Sequence, residues 1–519
     1  MTLTFVLGLS SAAVVAYSLT DIPAPHPEAV VQSTVFVDVH GDYLGRRGPM
    51  DRQDVPLSQV PRHVQEAVIA AENRSFRTDS GIAPTAIARA VLAAVTGGAR
   101  QGGSTITQQY IKNALLTPEQ SMSRKAKEAL IAVKLDRTRS KETILEGYLN
   151  TVYFGRGAAG IQAAARNYFG VNAHDLTIEQ DAALAAVINL PSYYEKAGSD
   201  PKVTSTLQRR WAWVLDAMAD SAVITRQQRA QAAFPAFRFY PPGHTEGQRQ
   251  YLIDAAAAEA TKQLGITQEQ LARGGYTIHT TFDLTLQDAA AETVRTRTKP
   301  AIGSSHATTA QLHTAITAVV PGDGAIRLLY GGADYARQPF NDALHGAIEA
   351  GTTLEPFTGK RLGQPLDRIR DDTAPTTVQV SAAYAALAAN GRYATPYTIA
   401  KITRNGRTLY TARPETHLAM TPSTAHDITR TLHSTTAGSP TTSHTGAAGH
   451  RTAWSTRSDS RLTLTAALFA ECPATATKPA APAPLADLVG PQPPTTFAAE
   501  TTADLWASAL RTTVQSPTG

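Results

Sequence analysis

Between residues 60 and about 222 the apolar positions recur at helical spacing, and few prolines interrupt them. The clearest stripe is Val64, Ala67, Val68 and Ala71, at i, i+3, i+4 and i+7, which predicts a helix ending near Glu72. A second helical segment opens at Ser123-Arg124-Lys125-Ala126-Lys127-Glu128. There Ala126, Ala129, Leu130 and Val133 form the apolar arc, and Arg124, Lys125 and Glu128 share a polar one. Elsewhere the period changes. Residues 34–39, 276–281 and 312–320 are rich in Thr, Val and other strand formers and are expected as strands, the first closed by a His40-Gly41-Asp42 turn. Residues 234–242, rich in Pro, Phe and Tyr, read as a linker, and 473–494, rich in Ala and Pro, as an exposed loop. No fixed-period repeat is present.

These changes divide the chain into segments 1–20, 21–57 (a strand and linker), 58–232, 233–273 (a linker) and 274–519. A length of 519 residues with 42% hydrophobic content suits two or three cores. Residues 2–20 carry no charge and are dominated by Leu, Val, Ala and Phe. As a helix they would approach the roughly 30 Å of a bilayer's hydrocarbon core. No A-x-A-type cleavage site precedes Thr20-Asp21, so the segment is expected as an uncleaved, single-pass membrane anchor rather than a cleaved signal peptide. Either form exports the remainder to the extracytoplasmic side. The charge of +5 permits contact with anionic lipid or phosphate. No Lys/Arg run reaches the length of a nucleic-acid patch, so nucleic acid is not expected as a partner. The single Cys472 excludes an internal disulfide and a multi-cysteine zinc site, and reads as a small apolar filler.

The strongest local signal is Gly102-Gly103-Ser104-Thr105-Ile106-Thr107-Gln108-Gln109-Tyr110-Ile111-Lys112-Asn113. Paired glycines beside hydroxyls let a backbone approach a polar ligand closely, but no Gly-Lys-Ser/Thr follows as a Walker loop needs. With Ala71-Glu72-Asn73-Arg74-Ser75-Phe76 before it and Arg124, Lys125 and Glu128 after it, this run resembles the peptidoglycan glycosyltransferases of glycosyltransferase family 51. These are the polymerase module of class A penicillin-binding proteins. A fourth motif runs from Lys141 to Asn150 and continues into Tyr153-Phe154-Gly155 and Tyr168-Phe169-Gly170; a fifth, weaker one spans 176–191, with Arg209 and Arg210 beyond it. In the family's first motif the sequence is Glu-Asp, two residues, Phe, two residues, His, one residue, Gly. This chain has Glu72, Asn73, Phe76, Asp79 and Gly81, so the aspartate has become Asn73 and the histidine Asp79.

The resemblance implies a multidomain chain: a mainly α-helical, lysozyme-like glycosyltransferase domain at 58–232 followed by an α/β (α+β) domain. It implies inverting transfer from a lipid-linked disaccharide-peptide, with Glu72 as the base and Lys112, Arg124 and Lys125 facing the leaving diphosphate. Glu128 matches the family's second carboxylate, which orients those groups or holds a divalent cation, magnesium or manganese. Ser104, Thr105 and Gln108 are expected to line the same cleft. The partners implied are the lipid-linked precursor, the cell membrane, nascent glycan and components of the division or elongation machinery. A non-catalytic scaffold that binds precursor is the alternative from another class. A lysozyme-like hydrolase would use a similar glutamate without needing the cations.

Residues 274–519 resemble a penicillin-binding transpeptidase domain whose signatures have been lost. That domain acylates the serine of a Ser-x-x-Lys motif. The matching stretch here is Ala350-Gly351-Thr352-Thr353-Leu354-Glu355-Pro356-Phe357, with Thr352 at the serine position and Glu355 at the lysine position. Lys-Thr-Gly is replaced by His444-Thr445-Gly446, and the stretch between Thr358 and Thr376 is much shorter than the family's. A degenerate domain without acyl-transfer chemistry is expected.

Overall fold

The computed structural model describes residues 18, 20–25, 31–48, 50–81, 104–115, 122–237, 248–298, 311–433, 441–472, 481–485 and 493–514. They fall into two compact units, of which the first takes residues 1–34, 47–244 and 272–275 and the second 35–46, 245–271 and 276–519. Segment 2–17, the larger part of the expected anchor, lies outside the described residues. Among the described residues no helix is long and apolar enough to cross a membrane.

The first unit is mainly helical: α1 (Arg62–Glu72), α2 (Ile106–Tyr110), α3 (Met122–Thr138), α4 (Lys141–Thr151), α5 (Ile161–Phe169), α6 (Ile178–Val187) and α7 (Pro201–Asp220). At its centre is α6, where Ala182, Ala183, Leu184, Ala185, Ala186 and Val187 are all buried. A helix that is apolar on every side has nowhere to go but the core. α1 and α7 pack against it. The stripe of α1 is as expected: Val64, Ala67, Val68 and Ala71 are buried, and the helix stops at Glu72. On α3 the register differs from expectation. Glu128, Ile131, Ala132 and Leu135 make the buried row, and Ala129, Leu130 and Val133 are only partly covered. The sequence pattern misleads there because a buried carboxylate sits in the apolar row, while Leu130 and Val133 lie beside it.

In the second unit, strands β1 (Thr34–Val37), β2 (Tyr43–Arg47), β3 (Tyr276–Thr280), β6 (Ile399–Arg404) and β7 (Arg407–Thr411) form a sheet ordered β7-β6-β3-β1-β2. β1 runs parallel to β3, with Val35 opposite Thr277, and β3 antiparallel to β6. A second, antiparallel sheet is ordered β8 (Thr442–Ala448), β9 (Thr452–Ser458), β10 (Thr463–Cys472), β4 (Gln311–Val319), β5 (Ile326–Tyr330). Both of its faces are covered. Ala315, Val319, Leu329 and Ala467 join the core that includes α10 (Thr377–Ala388), and Ile316, Ala318, Leu328, Leu464 and Ala466 join that of α9 (Leu284–Thr298) and α11 (Pro494–Val514). Alternate residues of a strand face opposite ways, so burial on both faces erases the polar-apolar alternation by which strands are read.

Three expectations change here. The linker at 233–273 carries α8 (Arg249–Leu264), whose Leu252, Ile253, Ala256, Ala257 and Ala260 lie in the second unit's core, while Phe234 and Phe237 pack on the first unit's. Within the 473–494 loop, Ala481–Ala483 is a strand paired with β10. Cys472 ends β10 exposed, not as buried filler.

Candidate active site

Glu72 is the last residue of α1, half-buried, and its carboxylate accepts a hydrogen bond of 2.8 Å from Gln109 Nε2 on α2. The Gln109 amide is itself oriented, because its Oε1 accepts from the hydroxyl of fully buried Tyr148 on α4 at 3.1 Å. Burial pushes the Glu72 carboxyl above its ordinary range; the Gln109 hydrogen bond and the nearby Arg210 charge pull it part of the way back. A carboxylate in such a setting is a stronger base than one in water, and among the described residues it is positioned by the Gln109 amide.

Arg210 comes from α7 and lies 4.6 Å over the ring of Trp213, which Arg74 also approaches at 5.6 Å. Trp213 is 42% exposed. None of Gln109, Tyr148 and Arg210 was given a role from sequence. Each does lie within or beside one of the five motifs, and a neutral glutamine two residues from Thr107 offers no chemical reason for preferring it to Gln108.

Gln108 and Thr105, expected in the cleft, are engaged in capping a helix. They form a capping box at the start of α2: Gln108 N–H donates to Thr105 Oγ1 at 3.2 Å, and Thr105 N–H to Gln108 Oε1 at 3.0 Å. Both are buried, and the Thr105 hydroxyl donates to the Gly81 carbonyl at 2.7 Å. Two otherwise orphaned helix-end donors are satisfied in this way. Ser104 is exposed. Lys112 is exposed on a π-helical turn, Ile111–Leu115, that continues α2. Arg124 and Lys125 belong to the first turns of α3, and their side chains lie outside the described residues. By helical spacing Arg124 stands one turn before Glu128, which is 1% exposed. Among the described residues no three His, Cys, Asp or Glu side chains converge as a metal site needs.

The loop after Glu72 holds the two departures from the family motif, and they are bonded to one another. Asn73 Nδ2 donates to Asp79 Oδ2 at 2.7 Å, and Lys141 Nζ, from the start of α4, donates to Asp79 Oδ1 at 3.0 Å. Lys141 also pairs with Asp136 of α3 and lies 4.9 Å over the Phe76 ring.

In the second unit, Thr352 and Glu355 are exposed on the turn Gly351–Phe357, which lies along the edge strand β8. The Thr352 hydroxyl accepts from the Ala447 backbone N–H at 3.1 Å, and the Thr352 carbonyl is 3.2 Å from His444 Nε2. A carbonyl only accepts, so Nε2 carries the proton in this contact. His444 therefore directs a donor at Thr352's backbone rather than a base at its hydroxyl. Burial holds the imidazole below its ordinary pKa, and the neutral ring stacks on Tyr384, with centroids 6.2 Å apart. The turn sits flush on the strand: a Cβ added at Gly446 would meet Thr353 Oγ1 at 2.2 Å.

Comparison with known proteins gives this geometry a context. A family model described as Transglycosylase matches residues 40–219. Penicillin-binding protein 1A of Mycobacterium tuberculosis is 37% identical over 354 residues, which cover 66% of this chain and 41% of that protein. Penicillin-binding protein 2D of Bacillus subtilis is 33% identical over 333 residues, 63% of this chain and 46% of that one. The chain thus spans less than half the length of these relatives. Among solved structures, penicillin-binding protein 1A from Haemophilus influenzae aligns over 94% of this chain and 93% of that one, at 14% identity and a TM-score of 0.46. By these matches, residues 40–219 resemble a transglycosylase domain and the chain is similar to penicillin-binding proteins.

Proposed function

We propose that the first unit is a peptidoglycan glycosyltransferase that polymerises a lipid-linked disaccharide-peptide, and that the second unit performs no transpeptidation. The observation that carries the first reading is Glu72: a half-buried carboxylate with a raised pKa, held by one oriented amide. In the reaction an acceptor sugar hydroxyl attacks the anomeric carbon of the donor. The new C–O bond forms as the bond to the diphosphate breaks, with inversion at carbon, and Glu72 takes the hydroxyl proton. The diphosphate leaves with the bonding electrons, and Lys112, Arg124 and Lys125 are the cations assigned to that charge. Arg210 joins them as a positive charge that favours the ionised form of Glu72, against the effect of burial. The polyprenyl tail of such a donor puts the reaction at a membrane surface, on the extracytoplasmic side if residues 1–20 act as an anchor.

For the second unit the carrying observation is Thr352, whose hydroxyl is engaged by a backbone N–H while His444 faces the carbonyl. Nothing in that arrangement deprotonates a nucleophile. Purified chain incubated with lipid-linked disaccharide-peptide should yield glycan polymer and free polyprenyl diphosphate. No polymer from the native chain would sink the glycosyltransferase reading.

A further inference from the structure

We propose that Asn73, Asp79 and Lys141 form a positioning network, in which the two departures from the motif compensate each other and hold Glu72 and Gln109 in register. The inference rests on the glycosyltransferase reading above.

Asp79 is the hub, 3% exposed at its side chain. Its Oδ2 accepts from Asn73 Nδ2, and its Oδ1 from both Lys141 Nζ and the Gly81 N–H, the last at 3.2 Å. Lys141 reaches the Asp79 carbonyl as well, at 2.7 Å. From this hub a closed circuit of contacts can be followed. Asn73 adjoins Glu72 in sequence and its N–H donates back to Ile69 of α1 at 2.9 Å. Asp79 fixes Gly81, whose carbonyl accepts from Thr105, the N-cap of α2. Along α2 the next turn carries Gln109, and Gln109 returns to Glu72. Gly81 has φ +83, and a Cβ there would meet the Ala132 carbonyl of α3 at 2.4 Å, so the circuit passes under α3 only as glycine. Both partners of the Glu72–Gln109 hydrogen bond are therefore tied to one buried carboxylate.

The chemistry of that carboxylate explains why Asn73 cannot be read as a simple loss of charge. An aspartate at 73 would bring a second anion to hydrogen-bond distance of Asp79, where like charges disfavour ionisation of both. An amide there donates instead. With the carboxylate moved to 79, Lys141 stands between it and the Asp136 carboxylate of α3, and the Asn73 amide donates to the oxygen of Asp79 that Lys141 leaves free.

The test is a double-mutant cycle on the full chain, with Asn73→Asp, Asp79→His and both together, read by glycan synthesis across pH and by thermal melting. Asn73→Asp alone should lower kcat at least tenfold with a smaller change in KM, and move the acid limb of the pH profile upward, since a new anion beside Glu72 raises its pKa. Asp79→His alone should also lower kcat at least tenfold. The double variant, which restores the family's pairing of acid and ring, should recover to within about threefold of the native chain. Asp79→Asn, which keeps an acceptor for Asn73, should lose less than Asp79→His and keep the native acid limb, provided its melt is cooperative. Losses that multiply in the double variant, or an Asn73→Asp chain as active as the native one, would overturn the inference alone. Absence of polymer from the native chain overturns the glycosyltransferase reading and this inference with it.

Discussion

Glu72 and Thr352 stand at corresponding moments in the two units, each the residue from which a reaction would start, and their neighbours treat them in opposite ways. Glu72 is half-buried, and its described side-chain hydrogen bond is from Gln109, to one of its two oxygens, Oε2. Thr352 is exposed, its hydroxyl already receives the Ala447 N–H, and the nearest imidazole addresses its carbonyl. The two surroundings differ in the direction in which protons are offered. Around Glu72 the donors stabilise an anion that still has room to accept. At Thr352 the Ala447 N–H faces an oxygen that would first have to lose its own proton, and among the described contacts the nearest imidazole addresses the carbonyl instead.

The contrast breaks most sharply at Glu72. Glu72→Gln keeps an acceptor for Gln109 but removes the base, so glycan synthesis should fall about 10²- to 10⁴-fold with little change in melting temperature. A variant that retains most of the activity would show that the proton goes elsewhere. Next comes Gln109→Leu, which should cost about tenfold in kcat. Because the Gln109 hydrogen bond favours the ionised carboxylate, its loss should also shift the acid limb to higher pH. For the native chain, activity should rise with pH as Glu72 deprotonates, at a midpoint above the ordinary carboxylate range because burial raises its pKa; a midpoint at or below that range removes Glu72 from the profile. A smaller effect is expected from Tyr148→Phe. It deletes one hydrogen bond to Gln109, worth about 0.5–1.5 kcal/mol, and should slow synthesis by roughly two- to tenfold in the same direction. At the small end, Thr352→Ala should leave glycan synthesis unchanged, and fluorescent penicillin should label neither the native chain nor the variant. Covalent labelling of the native chain that disappears in Thr352→Ala would put acyl transfer back in the second unit.

The helical stripe of α1 and the place where it ends were legible because helix α1 packs by one face, and a one-faced helix writes its period into the sequence. Strands β3 and β4 could be read from their residue types, within a residue or so of their ends. The capping role of Thr105 and Gln108 was hidden by their company: a Thr-x-x-Gln box and a ligand-binding run use the same hydroxyls and amides, and only burial separates them. Glu128 was placed on the polar arc for an equally plain reason, that spacing records which residues share a face and not whether that face is wet. The Asn73–Asp79 contact could not be read at all. Two departures six residues apart look like two independent losses until the loop brings them to 2.7 Å.

The contact between the turn Gly351–Phe357 and β8 has a consequence outside catalysis. β8 is the edge of its sheet, and an edge strand offers unpaired N–H groups as a template on which another chain can add a strand. The Thr352 hydroxyl occupies one of them, and the turn lies along the strand. Whatever its chemistry, the turn that carries Thr352 also serves as a stopper, covering part of this edge against the addition of a strand from another chain.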